Sequence, residues 1–229
     1  MNFYPFLLQD VQLDSIAVAQ ESQSFISIII GSGLLGILIS VALLILSIYA
    51  VYIFIERYMS ITKAANIDQS FMVNIRTNVQ SGNIDAAKAL CSNTDTPVAR
   101  MVEKGLVRIG KPLNDINAAI DNVGNIELGK LEKNLSTLAT ISGAAPMIGF
   151  FGTVTGMISA FREMSLTENI TPDVLAGGIY QALLTTAFGL FVGIIAFVGY
   201  NYLVALVDKV IFQMEARSSE FMDLLQEPA

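Results

Sequence analysis

Two charge-free apolar stretches of this chain carry hydroxyls and a carboxamide at positions that would lie deep in lipid. Thr153 and Thr155 fall in the run from Asn134 to Phe161, and Gln181, Thr185 and Thr186 fall in the run from Val174 to Val207. None of these groups titrates near neutrality. A hydroxyl donates one hydrogen bond and accepts two, so a row of them at membrane depth can hold water or bond a carboxyl group brought by another chain in either protonation state. A Thr bonded to the carbonyl one turn back meets the same pattern, and bonding between helices is the ordinary role of an intramembrane amide such as Gln181. Other chemistry lacks its raw material. The chain has no His and a single cysteine, Cys91, so zinc sites, cysteine pairs and His-dependent catalysis are set aside. Cys91 reads as a reduced residue on a helix, with redox sensing as the alternative. No nucleophile, base, metal or phosphate motif has usable context, so neither enzyme activity nor a metal or cofactor is expected.

Small residues surround these polar groups at helical spacing. Pro146, Gly149, Thr153, Gly156 and Ala160 share one face of a helix, and Gly178, Ala182, Thr185, Gly189 and Gly193 share a face of another. Each run also holds a small-xxx-small pair, Gly152 with Gly156 and Gly189 with Gly193. Lipid drives helices together poorly, so such stripes serve close backbone approach. Two uses meet this spacing: holding a helix bundle together, or forming a pore or rotor surface.

The elements that must position these residues follow from composition. With 53% hydrophobic and 14% charged residues, the 229-residue chain is too apolar for a water-soluble globule. The net charge of −7 argues against nucleic acid as a partner. Three charge-free runs, Ser22 to Ile55, Asn134 to Phe161 and Val174 to Val207, are long enough to cross a bilayer as helices, and none alternates with the period of two that a barrel requires. The spacing therefore predicts an all-α membrane protein with three transmembrane helices at 34–55, 134–161 and 174–207. Of the thirteen Lys and Arg residues, ten lie between Glu56 and Lys133, which predicts that segment 56–133 is cytoplasmic. It follows that 1–33 is a periplasmic or interfacial segment, 162–173 a periplasmic loop, and 208–229 a cytoplasmic amphipathic helix fraying at Pro228. Residues 1–25 hold no Lys or Arg, unlike a cleavable signal, so the N-terminus is expected to be retained.

Segment 56–133 reads as helical. Gly82-Asn83 is a break, Thr96-Pro97 an N-cap with its first helical residue, and Gly105 and Gly110 weaken or end the helix that follows. Ile116, Ile120, Val123, Leu128, Leu131, Leu135 and Leu138 predict an amphipathic helix running from near Pro112 straight into the second span. Its stripe is expected to pack against extensions of the first and third spans, with a ligand groove as the alternative.

The order of residues 142–161, SGAAPMIGFFGTVTGMISAF, closely resembles the signature of the MotA/TolQ/ExbB proton-channel family. Residues 178–190, GIYQALLTTAFGL, followed by Tyr200-Asn201, resemble that family's third span, and the three-span plan is that of its ExbB and TolQ members. The resemblance implies a homo-oligomer, specifically a pentamer, with long cytoplasmic helical extensions in the bacterial inner membrane. It also implies a single-span ExbD- or TolR-like partner, surrounded by the second and third spans, and force passed to a TonB-like protein. The partner's aspartate would carry the proton. By position, Thr153 and Thr186 match the family's pore threonines, with Gln181 and Thr185 beside them. Pro146, Gly149, Gly152, Gly156, Gly178, Ala182, Gly189 and Gly193 would pack around the partner helix. One departure stands out: where ExbB and TolQ commonly carry a glutamate, this chain has Gln181, so neither run contains an ionisable carboxylate or basic group. Nutrient uptake, Tol-Pal envelope maintenance and a non-conducting scaffold are the functions open at this point.

Overall fold

The computed structural model describes residues 33–66, 68, 70–166 and 172–226. The expected N-terminal segment therefore lies outside the described residues but for Gly33, as do residues 167–171 of the expected 162–173 loop, whose remaining residues are helical, and the fraying at Pro228. Among the described residues there is no strand, and the helices are α1 (Gly33–Ala65), α2 (Ser70–Gln80), α3 (Ile84–Ser92), α4 (Pro97–Leu106), α5 (Leu113–Leu131), α6 (Leu135–Leu166) and α7 (Pro172–Gln226). Three stretches, within Leu34–Ala65, Leu113–Leu166 and Leu175–Gln226, are long and apolar enough to cross a membrane. The protein is an all-α membrane protein of three spans.

The long helices outrun the bilayer. At 55 residues α7 is about 80 Å long against a hydrocarbon core of about 30 Å, so much of it stands beyond the lipid. The third span and the polar tail are one uninterrupted helix. Within the membrane portion α6 and α7 form the most extensive pairing, and α1 packs on both. The outward faces carry Leu44, Ile48, Phe150, Ile158, Phe191 and Phe197, apolar and exposed as lipid-facing or subunit-facing positions must be.

The second half of α7 is the post on which the polar helices assemble. Gly82, at φ +76°, ends the α2 turn, and the Asn83 side chain caps α3 by accepting the Ala86 amide at 3.3 Å. Thr96 accepts the Ala99 amide at 3.3 Å, with Pro97 in the first turn of α4, as their types require. Gly105 is inside α4, in its last turn, and a side chain there would run into the Phe221 ring of α7. Its lack of a Cβ serves packing, which helix-breaking propensity alone does not reveal. Phe221, Leu106 and Ile120 are all but completely buried around it.

The expected unbroken helix from Pro112 into the second span is interrupted. Residues 132–134 turn between α5 and α6, with Asn134 in the left-handed region at φ 63°. The turn lets α5 lie chiefly along α4, with lesser contact to α7 and α1, while α6 pairs with α7. Leu131, Leu135 and Leu138 stay buried on both sides of it, so the apolar stripe survives a change of axis.

Charges tie these helices together. Glu127 of α5 is only 3% exposed and accepts hydrogen bonds from Arg100 of α4 and Lys130 of α5, each at 2.7 Å. Arg100 also bonds Asp95 at 2.7 Å, and Asp95 accepts from Lys63 of α1 at 2.7 Å. Burial works against the Glu127 carboxylate, but the bonds from Arg100 and Lys130 outweigh it and hold its pKa below the ordinary value. Hydrogen bonds from Lys63 and Arg100 lower Asp95 in the same direction. Cys91 is buried, and desolvation followed by the nearby Glu103 charge pushes its thiol up to about 12, which leaves it unreactive.

Two outcomes test this packing. Gly105→Val should destabilise the polar helices by about 2 kcal/mol; combining it with Phe221→Leu should cost less than the two single changes summed, as read by thermal unfolding in detergent. Because the folded pKa of Glu127 is depressed, its contribution is complete above its ordinary value of 4.5 and is lost as pH falls from there through the folded value. The stability gap between the natural protein and Glu127→Gln, about 3 kcal/mol at neutral pH for a broken buried pair, should shrink as pH is lowered through that window.

Candidate functional site

The residues singled out by spacing meet at the seam between α6 and α7. The helices run antiparallel, so contacts descend one helix as they climb the other. A methyl on Gly193 would lie 2.5 Å from Pro146 Cγ and 3.0 Å from the Ser142 carbonyl oxygen. One on Gly189 would meet the Ala145 carbonyl oxygen at 2.6 Å, and one on Gly149 the Thr185 carbonyl oxygen at 2.9 Å. Further along, Gly152 faces Thr185, Gly156 faces Ala182 at 2.9 Å, and Gly178 faces Ala160 at 2.5 Å by the same measure. Backbone thus lies against backbone around Gly149, Gly189 and Gly193, and small side chains fill the rest of the seam. The eight small residues are engaged with one another, or with Ala145, Ala160 and the threonines, inside this chain.

The threonines divide between the two edges of the seam. On one edge Thr186 donates its hydroxyl to the Gly149 carbonyl across the helix pair at 2.9 Å and stands 3.5 Å from the Thr153 oxygen. Thr153 donates to its own Phe150 carbonyl at 2.6 Å. Thr153 also lines a shallow apolar groove with Val154, Met157, Ile158 and Phe161. On the other edge Thr185 bonds back to Ala182 at 2.7 Å, near Gly152, where Ile39 of α1 closes the space. Gln181 is one turn from Thr185 and shares its flank of α7. Thr155 donates back to Phe151 at 3.0 Å. Of the polar candidates, the structure brings Thr153 and Thr186 together, and it sets the Thr185 hydroxyl against Ala182 and Gly152 instead.

This edge is built to handle hydrogen bonds without charge. Thr153 and Thr186 each spend their one proton on a backbone carbonyl, which leaves lone pairs on both oxygens for a donor arriving at the groove. A rotation of either hydroxyl turns it into a donor. The pair can therefore meet a protonated or an ionised carboxyl group, or a water between them. No Asp, Glu, Lys or Arg lies in 134–161 or 174–207 to compete.

Three features escape the sequence reading. The Gly149 carbonyl is the inter-helix acceptor, and backbone groups carry no signature in residue type. Ala145 extends the α6 stripe by one step of four, a signal present in the spacing. The buried Arg57 and Glu127 and the half-buried Arg100 resemble surface charges until the helices are placed.

Fold and seam together define a three-span helical membrane protein with a hydroxyl pair at one edge of a glycine-packed helix pair and a polar helical domain on one side of the bilayer. The chain belongs to the MotA/TolQ/ExbB proton channel family, whose sequence profile matches residues 93–216, more than half of its length. It is 30% identical over 162 residues to the biopolymer transport protein ExbB-like 3 of Synechocystis, covering 69% of this chain and 77% of that one. It is 38% identical over 96 residues to the Tol-Pal system protein TolQ of Pseudomonas aeruginosa, covering 42% of each chain. It is 28% identical over 172 residues to an ExbB homolog of Methanothermobacter thermautotrophicus, covering 74% of this chain. The alignments span 61% of the archaeal relative and less than half of TolQ.

The seam makes a sharp test. Gly149→Ala puts a methyl against the α7 backbone, which has no side chain to swing aside, and should destabilise the α6–α7 pair by about 1–3 kcal/mol. Gly143→Ala, where a methyl would meet nothing within 4 Å, should be neutral or slightly stabilising. Thermal unfolding in detergent reads both.

Proposed function

We propose that this chain is a proton-channel subunit of an inner-membrane motor that, with an ExbD-like single-span partner, uses the proton motive force to energise TonB-dependent outer-membrane transport. The observation that carries the reading is the Thr153–Thr186 pair, 3.5 Å apart across the seam, with Thr186 bonded to the Gly149 carbonyl and Thr153 lining an apolar groove, in a member of a proton-channel family. A carboxyl group on the partner's helix, loading and unloading a proton beside these hydroxyls, supplies the titrating group that this chain lacks at membrane depth. Gln181 keeps a neutral hydrogen-bonding side chain where relatives commonly carry glutamate. One charge falling through 100 mV releases about 2.3 kcal/mol, enough to bias the orientation of a partner helix.

In this reading the chain forms a homopentamer, the partner helix sits among the second and third spans, and the Lys- and Arg-rich polar domain is cytoplasmic. A role in Tol-Pal envelope maintenance is the second reading, favoured by the 38% identity to TolQ over 96 residues. A non-conducting scaffold is the third, favoured by Gln181.

Proton flux into vesicles holding the chain with its partner separates the two channel readings from the scaffold. Conduction should require the partner's aspartate and fall about tenfold in Thr186→Val, the equivalent of about 1.4 kcal/mol, with Thr186→Ser close to the natural level and Thr153→Val also reduced. A leak equal in all variants rejects the channel and leaves the scaffold.

A further inference from the structure

Arg57 stands just past the apolar run of α1 and is only 6% exposed, a rare place for a guanidinium. It pairs with the adjacent Glu56 and donates Nη1 to the Lys130 carbonyl at 2.9 Å. Lys130 is the penultimate residue of α5, so its carbonyl is among the last four, which have no amide partner within their helix. A cation there satisfies the acceptor and meets the negative end of the helix. Arg57 thus caps α5 from a different helix.

Four residues on is the joint between α5 and α6. Glu132 N bonds the Leu128 carbonyl at 3.0 Å, Leu135 N bonds the Glu132 carbonyl at 3.1 Å, and between them Asn134 takes the left-handed region at φ 63°. A left-handed backbone costs a non-glycine residue about 1 kcal/mol, although Asn tolerates it better than most, and such a conformation persists where its surroundings hold it. Thr153 lies 19 residues beyond the joint on α6, a lever of about 28 Å.

We propose that Arg57 is a positioning residue for the seam: its bond to the Lys130 carbonyl holds the Asn134 joint and so fixes the direction of α6 relative to α5 and the polar helices. The same side chain ties the exit of α1 to this joint, so the first two spans share one fixed point at their polar ends. The consequence for conduction rests on the proposed function; the geometry does not.

The experiment places spin labels at Ile126→Cys on α5 and Met147→Cys on α6, both exposed positions, in a Cys91→Ala background. Labelled full-length chain is diluted with unlabelled chain in lipid nanodiscs, and pulsed dipolar spectroscopy reads the distance across the joint. A control pair, Met147→Cys with Ile194→Cys, reads the α6–α7 seam. The natural Arg57 should give one narrow distribution, Arg57→Met a distribution at least twice as broad, and Arg57→Lys an intermediate one, with the control pair unchanged throughout. Asn134→Gly should leave the narrow distribution in place while Arg57 is present and broaden it further than Arg57→Met alone when combined with it. An unchanged distribution in Arg57→Met overturns the proposal. So does broadening of the control pair alongside it, because Arg57 would then support the fold at large. If the joint broadens as expected but the natural protein with its partner conducts no protons, the channel reading fails and the positioning role stands.

Discussion

Everything in the membrane half rests on backbone lying directly against backbone between α6 and α7. Lipid offers the helices no hydrophobic reason to prefer each other, so dispersion and short polar contacts must do what water does for a soluble core. Gly149 and Gly189 make that possible because neither has a side chain to hold the helices apart. The close approach in turn lets the Thr186 hydroxyl reach a carbonyl on the other helix, which a spacing set by Leu or Val would prevent. The glycines and the threonines are one device, in which the small residues set the distance and the hydroxyls use it.

The polar domain obeys the opposite rule. There the apolar effect is available, and Phe221, Ile61, Ile75 and Val98 form an ordinary dry core. Within it the chain buries Glu127, a choice that rarely adds net stability over an apolar residue of the same size. Because Arg100, Asp95 and Lys63 continue the pairing outward to α1, the buried charge fixes register between helices that a purely oily interface would leave free to slide.

Much of this was legible in the residues themselves. The three spans follow from runs without charge, and the seam from small residues at steps of three and four, because a helix in lipid has few other ways to associate. Thr96-Pro97 and Gly82-Asn83 mark helix boundaries through rules that need no tertiary information. What stayed hidden depended on neighbours distant in sequence. The turn at Asn134 interrupts an apolar stripe that reads as continuous, since Leu131 and Leu135 are buried on either side of it. Gly105 looks like a helix breaker until Phe221 is seen against it. The two edges of the seam, with Thr186 on one and Thr185 on the other, differ by a single step along the chain, and only the placement of α1 tells them apart.

Helix α7 joins these two worlds without a joint. From Pro172 to Gln226 it contains no further proline, and its hydrogen-bond ladder runs unbroken past Gly189 and Gly193 into the water-exposed half. A rod of that kind is stiff in torsion, so a twist applied beside Thr186 arrives at Phe221 with little loss, and a load on the polar helices is felt in the bilayer. One end of this continuous helix packs against α6 in the apolar layer, and the other is held in the dry core of the polar helices.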